Sequence, residues 1–296
     1  MKFRAHDTFF IRKGWLNKGL SQVKRDGSVF ISKTQNPMDV FGIGNNMVKA
    51  LRYWMQVTGL TEEPEKGKRV QEITDFGKLV FENDRYIDET GTLLLLHYKL
   101  ATNEKDATAW YYFFNKFTFN EFTKEDFVRE IQNYIQMSNE DEVAIRSLED
   151  DFACILSTYQ SRSKSGAPVS PENNIDCPLG ELGLIDVLDK KEKKYRKATP
   201  SKELFDPWII MAVISKWSKD NGNVKEVTLN DLLMSPCNIG RVFNLDTITM
   251  LDILYKTEKL GRIKINRTAG LDVVVLNDVP SFEECIAEYY KSIKAV

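Results

Sequence analysis

Apolar residues at Met47, Leu51, Trp54, Met55 and Leu60 recur at spacings of three and four, which predicts an amphipathic helix over 45–58. Asn45 or Asn46 is placed to cap it and Gly59 to end it, while Lys49, Arg52 and Tyr53 fall on its other faces. Upstream, Gly14 and Gly19 bracket a short helix-sized piece, and Asp26-Gly27 signals a turn. Downstream, 61–68 is polar and turn-rich, 69–74 alternates like a strand, and a further helix opens at Thr74-Asp75-Phe76-Gly77. Helix, hairpin and following helix is the order of a winged-helix module, with 45–58 as its recognition helix and Lys66, Lys68 and Arg69 on its wing.

Residues 84–119 are the most aromatic part of the chain and read as helical core. Tyr112, Phe113 and Phe114 have faces on which bases can stack, although such density favours packing. Thr123-x-x-Asp126 predicts one helix start and Ser138-x-x-Asp141 another. The segment 160–174 (QSRSKSGAPVSPENN) is polar, carries two prolines and a glycine, and lacks periodicity, so it reads as a linker. Beyond it, 178–188 is a short apolar element and 189–202 a charge-dense segment that reads as a solvated loop.

Helices are then predicted over 207–217, from Thr228-x-x-Asp231, and from Asp246 with Ile248, Leu251, Leu254 and Leu260 on one stripe until Gly261. Two alternating strands, 262–266 and 271–276, join through Arg267-Thr268-Ala269-Gly270. The winged-helix order recurs here, with Thr247, Thr249, Lys256 and Arg267 facing outward toward DNA or a protein. The expected fold is mainly α with small β-hairpins: two winged-helix-like modules joined by a helical middle region. The expected domains are 1–159 (basic winged-helix-like plus helical), the linker, and 175–296 (winged-helix-like).

A net charge of −2 conceals a strong asymmetry. Residues 1–52 hold ten Lys/Arg against three acids, whereas 121–151 hold ten acids against three cations. A basic head is what a polyphosphate partner requires, although such charges also simply solvate helix faces. The four cysteines lie tens of residues apart with no CxxC pair, which excludes a zinc ribbon and fits reduced thiols. No apolar run reaches membrane-spanning or signal-peptide length, so a cytoplasmic protein is expected.

Several phrases together carry a resemblance: HDTFFIRKGWLNKGL (6–20), FGIGNNMVKALRYWMQVTGL (41–60), ITDFGKLVFENDRYIDETGTLLLLHYKLAT (73–102), WYYFFNKF (110–117) and CPLGELGLI (177–185). They resemble the bacterial family of unknown-function proteins typified by SspB of the DNA phosphorothioation defence systems. That resemblance implies an anti-phage setting. Its partners would be a cysteine desulfurase and a PAPS-reductase-like ATP pyrophosphatase that replace a phosphate oxygen by sulfur. It further implies that the chain engages DNA or nicks it. His6, Thr8, Arg12, Trp15, Lys18, Gly42, Gly44, Asn46, Lys49 and Arg52 carry over with the phrases.

Cutting DNA needs a nucleophile, charge stabilisation and usually metal-bound carboxylates, so a divalent ion is the possible cofactor of a nickase. No PD-(D/E)xK, HNH or GIY-YIG pattern is present. The nearest cluster is His6, Asp7, Arg12 and Lys13, in which His6 is the candidate general base and a simple hydrogen bond or phosphate contact is its plainer role. His97 reads as a satisfied core histidine, and Asp84, Asp88 and Glu89 as helix caps rather than metal ligands. No metal site and no cofactor are expected for a binding protein. The glycine-asparagine stretch 42–46 lacks the Lys-Ser/Thr of a P-loop but offers free N–H groups to a DNA phosphate. The candidate DNA contacts are therefore Arg12, Lys13, Trp15, Lys18, Asn45, Asn46, Lys49, Arg52 and Arg267. DNA binding leads; nicking and a non-catalytic scaffold or regulator are the alternatives.

Overall fold

Among the residues that the computed structural model describes (1–65, 67–160, 177–268 and 271–295), helices dominate and the strands form three small antiparallel sheets. The chain divides into two compact units, Met1–Phe113 with Phe117–Lys197, and Phe114–Lys116 with Ala198–Val296.

The first unit opens with α1 (Trp15–Arg25), α2 (Pro37–Phe41) and α3 (Asn45–Val57). The two-residue strands β1 (Thr61–Glu62) and β2 (Glu72–Ile73) pair antiparallel and lead into α4 (Asp75–Asn83), whose start is capped by the Thr74 hydroxyl. Next comes α5 (Thr90–Ala101), with Leu93–Leu96, His97, Tyr98 and Leu100 all buried; a helix apolar on every side must sit inside. It is followed by α6 (Thr108–Asn115), β3 (Glu121–Phe122), α7 (Lys124–Met137) and α8 (Ile145–Tyr159). Phe113, Phe117, Phe122, Phe127 and Phe152 interlock with ring centroids 5.2–6.2 Å apart. Each edge-on or offset pair adds about 0.5–1.5 kcal/mol beyond the area it buries. The aromatic density of 110–117 is thus core, and Tyr112 and Phe113 offer no face to a base.

The unit ends with β4 (Ile185–Asp189) and β5 (Lys194–Lys197), and β5 lies between β4 and β3. The charge-dense segment expected as a loop therefore contains a strand. Lys197 explains its anchorage: its Nζ donates to the carbonyls of Phe113 and Phe117 at 2.6 and 2.5 Å. This pairing ties residues 185–197 to the first unit. The expected linker lies outside the described residues except for Gln160, as do Lys66 of the first hairpin and Ala269-Gly270 of the second.

In the second unit, α9 (Pro207–Asp220) is the central helix, capped by Asp206 and started by Pro207. Around it lie β6 (Glu226–Thr228), α10 (Leu229–Met234), α11 (Ile239–Phe243), α12 (Thr247–Glu258), β7 (Ile263–Thr268), β8 (Leu271–Leu276) and α13 (Phe282–Lys294). The sheet order is β6-β8-β7. Ser281 and Glu284 form a capping box that starts α13, a helix the hydrophobic pattern left unassigned.

Four local expectations change. Gly19 lies inside α1 rather than at its end: a Cβ there would stand 2.6 Å from Met55 Sδ, so glycine permits the approach of α1 to α3. Gly44, in extended conformation, is the N-cap of α3, and the side chains of Asn45 and Asn46 do not cap it. Ser138 closes α7 by donating to the Tyr134 carbonyl, and α8 starts only at Ile145. Finally, α12 buries Met250, Ile253, Leu254 and Thr257, which leaves Ile248 77% exposed.

Candidate nucleic-acid interface

The helix α3 sorts its residues cleanly. Val48, Leu51, Trp54 and Met55 go inward, while Asn45, Lys49, Arg52 and Gln56, spaced by four, three and four residues, form one polar stripe outward. A groove of about 560 Å³ runs along this stripe. Its other walls are Lys2 and Ala5 from the N-terminal segment, Phe30 and Ile31, Asn36–Met38 at the start of α2, and Arg69 from the β1–β2 connection. Four cations (Lys2, Lys49, Arg52 and Arg69) line it, with no carboxylate among the lining residues.

The carboxylates beside these cations are Asp106, 3.6 Å from Lys2 Nζ, and Glu63, 3.8 Å from Arg52 Nε. Glu63 also accepts from Gln56 Nε2 at 2.6 Å and Gln71 Nε2 at 2.9 Å, and Gln71 Oε1 accepts from Thr61 and Gln56. This half-buried amide–carboxylate network ties the C-terminal half of α3 to the hairpin and fixes where Arg52 and Gln56 stand. Burial pulls the Arg52 guanidinium below its ordinary pKa, Glu63 opposes that, and Arg69 adds to it. An arginine so placed stays charged, so Glu63 only tempers the positive field. Lys49 is exposed, its Nζ 3.4 Å from Asn46 Oδ1.

Of the residues expected to touch DNA, Asn45, Lys49 and Arg52 line the groove, and Asn46 is exposed on the same first turn of α3. The others have different surroundings. Trp15 is only 7% exposed and packs in the core, with the Arg12 guanidinium over its ring at 5.5 Å. Lys13 lies 3.7 Å from Asp88. Lys18 donates to the carbonyl of Phe41 and so fastens α1 to the end of α2. Arg267, in the second unit, stands over the Tyr255 ring at 5.4 Å and lies 3.8 Å from Asp272. Gln56 and Lys2 were not singled out from sequence. Gln56 was readable as the next step of the Asn45–Lys49–Arg52 spacing, whereas nothing local marks Lys2, which the path of the chain brings in.

His6 is not in a surface cluster with Asp7, Arg12 and Lys13. It is fully buried: Nε2 lies 2.7 Å from Asp151 Oδ1, and its ring stacks on Trp54 and meets Trp110 edge-on. His97 is likewise buried and bonds to the Tyr159 hydroxyl at 2.7 Å. The Asp84 carboxylate accepts from the amides of Asp88 and Glu89, a capping role. Among the described residues no three His, Cys, Asp or Glu side chains converge to hold a metal ion. Nor is any helix there long and apolar enough to cross a membrane.

Residues 3–290 match the profile of the protein family of unknown function DUF4007. No curated protein matches the sequence. A magnesium-ion-bound SspB crystal structure superposes with a TM-score of 0.84 at 23% identity, covering 100% of this chain and 89% of that one. A second SspB crystal structure does so with the same TM-score and coverage at 22% identity. At such identities the likeness fixes the fold, and the magnesium ion is a property of the neighbour. The chain belongs to the DUF4007 family of proteins of unknown function, and its fold is that of SspB.

Proposed function

We propose that this protein is a DNA-binding component of a bacterial DNA phosphorothioation defence system, holding the duplex backbone along the α3 groove. The observation that carries the reading is the convergence of Lys2, Lys49, Arg52 and Arg69 on one concave face free of lining carboxylates. Phosphate contacts from such side chains supply affinity and register, while Asn45, Asn46 and Gln56 can reach base edges. Both units support a winged-helix-like reading. In the first, α3 and the β1–β2 hairpin are recognition helix and wing; in the second, α12 and β7–β8 are, with the helices α5–α8 as the middle region. The fold shared with SspB supports the phosphorothioation setting. In it, a cysteine desulfurase and a PAPS-reductase-like enzyme would act on the held backbone in the cytoplasm.

Holding DNA in this way uses no cofactor. Nicking by His6 would require its ring to reach a phosphate's surroundings, and the ring is sealed between Trp54 and Trp110. Binding is therefore the reading favoured. For the second unit, the exposed Ile248 and Tyr255 on α12 favour a protein partner over a phosphate backbone.

Duplex affinity across a salt series tests the proposal, because each neutralised phosphate adds about −0.9 to the slope of log K against log salt. Lys49→Ala/Arg52→Ala is expected to weaken binding and to flatten the slope by about two. An unchanged slope would sink the reading.

A further inference from the structure

The groove lacks one wall until the first eight residues are in place. These form a strap across α3, α6 and α8. The amide of Lys2 donates to Thr108 Oγ1 at 2.9 Å. The amide of Arg4 donates to both oxygens of Asp151, at 3.0 and 3.2 Å. Arg4 Nε lies 2.7 Å from Asp150 Oδ2. Beyond the strap, Trp54 Nε1 donates to the Phe9 carbonyl at 2.8 Å. The strap's path is strained: Arg4, Asp7 and the β-branched Thr8 all have left-handed backbones, with φ of 54°, 50° and 68°. Such a path persists only where surrounding contacts over-determine it.

His6 is the centre of those contacts. Both partners of the His6–Asp151 bond are sealed from solvent, and His6 Nδ1 is buried without a partner. The Nε2 bond to Asp151 pins the strap to α8. The residues that the strap delivers to the groove are Lys2 and Ala5. Lys2 Nζ lies 5.8 Å from the Tyr53 ring centroid and 3.6 Å from Asp106.

We infer that the buried His6–Asp151 pair is a latch that positions the N-terminal strap, and through it Lys2, as a wall of the phosphate-binding groove. His6 and Asp151 are positioning residues, which act on bound phosphate through Lys2. The inference rests on the DNA-backbone reading of the groove, and its test separates the two.

Four variants (His6→Ala, His6→Leu, His6→Gln and Lys2→Ala) are compared with the wild type. Two measurements are made on each: duplex affinity across salt, and hydrogen exchange of amides 2–9. Lys2→Ala is expected to flatten the salt slope by about one. His6→Ala is expected to do the same while freeing the strap amides to exchange, with α5 remaining protected. His6→Leu keeps the bulk but not the bond, and gives the same result if alanine loosens the whole unit. His6→Gln can still bond Asp151 and restores both readouts. Because the latch acts through Lys2, the His6→Leu/Lys2→Ala double variant shows no further flattening beyond either single one. Protected strap amides in His6→Leu, or slope losses that add in the double variant, would overturn the latch. An unchanged slope in Lys49→Ala/Arg52→Ala overturns the DNA reading instead, whatever the strap amides do.

Discussion

Two helices occupy equivalent places in the local order of their units, and they present opposite chemistry. On α3 the outward stripe is Asn45, Lys49, Arg52 and Gln56, set in a concave groove whose far walls add Lys2 and Arg69. On α12 the exposed positions include Ile248 and Tyr255, and nearby cations are paired, as Lys2 with Asp106 and Arg52 with Glu63 are at the groove. Arg267 stands over Tyr255, and Lys202 bonds Asp252 of α12 at 2.6 Å. The same succession of helix and hairpin therefore does not decide the partner. The proposed reading rests instead on several cations converging on one concave surface, because a phosphate backbone rewards summed field rather than a lone charge.

The largest expected effect separates the two helices most sharply. Reversing the charges, with Lys49→Glu/Arg52→Glu, is expected to lower duplex affinity by at least roughly 100-fold, taking about 1.5 kcal/mol for each charge-assisted hydrogen bond removed. Fluorescence anisotropy at fixed salt measures it, and a loss below tenfold would break the comparison. Next in size is a packing effect in the first unit. A Cβ on Gly77 of α4 would stand 2.1 Å from the Leu60 carbonyl oxygen, a backbone atom that cannot swing aside. Gly77→Ala is expected to cost about 1–3 kcal/mol of stability, read by chemical denaturation. Gly240→Ala in α11, facing the Leu233 backbone at 2.4 Å, makes the matching probe of the second unit.

Much of this was legible in the sequence, and what was not has identifiable causes. The periodicity of 47–55 placed Leu51, Trp54 and Met55 inward, as a strongly amphipathic helix must, whereas Tyr53, expected on another face, is buried beside Trp54. The Thr123, Thr228 and Asp246 caps were readable because capping is local chemistry. Three of the groove's expected residues came from that one helix. The others scattered because residues such as Lys18 and His6 owe their roles to partners 23 and 145 residues away, and no local pattern encodes such a partner. His6 illustrates it best: a histidine among cations reads as surface chemistry until α8 brings Asp151 against it.

A smaller effect follows from that pair. Burial pushes the Asp151 carboxyl above the ordinary aspartate value, Asp150 adds to this, and His6 and the Arg4 amide oppose it. A carboxyl whose pKa is higher folded than unfolded adds stability that is fully present below its unfolded pKa. That stability is lost as pH rises through the folded value. The wild type should therefore lose part of its Tm as pH climbs above the ordinary carboxylate range. Asp151→Asn, which does not ionise, should show a flatter profile there, and a steeper one would contradict the assignment. The smallest effect belongs to the second unit: Arg267→Ala is expected to change the salt slope of duplex binding by less than one. A loss equal to that of Lys49→Ala would restore α12 as a DNA-facing helix.

The most direct test of the central claim is a lysine-acetylation footprint read by mass spectrometry, with and without duplex DNA. Lys2 and Lys49 should be protected by DNA, while Lys256 and Lys259 of the α12 region should react equally in both samples. Protection confined to Lys256 and Lys259, with Lys2 and Lys49 unchanged, would contradict it.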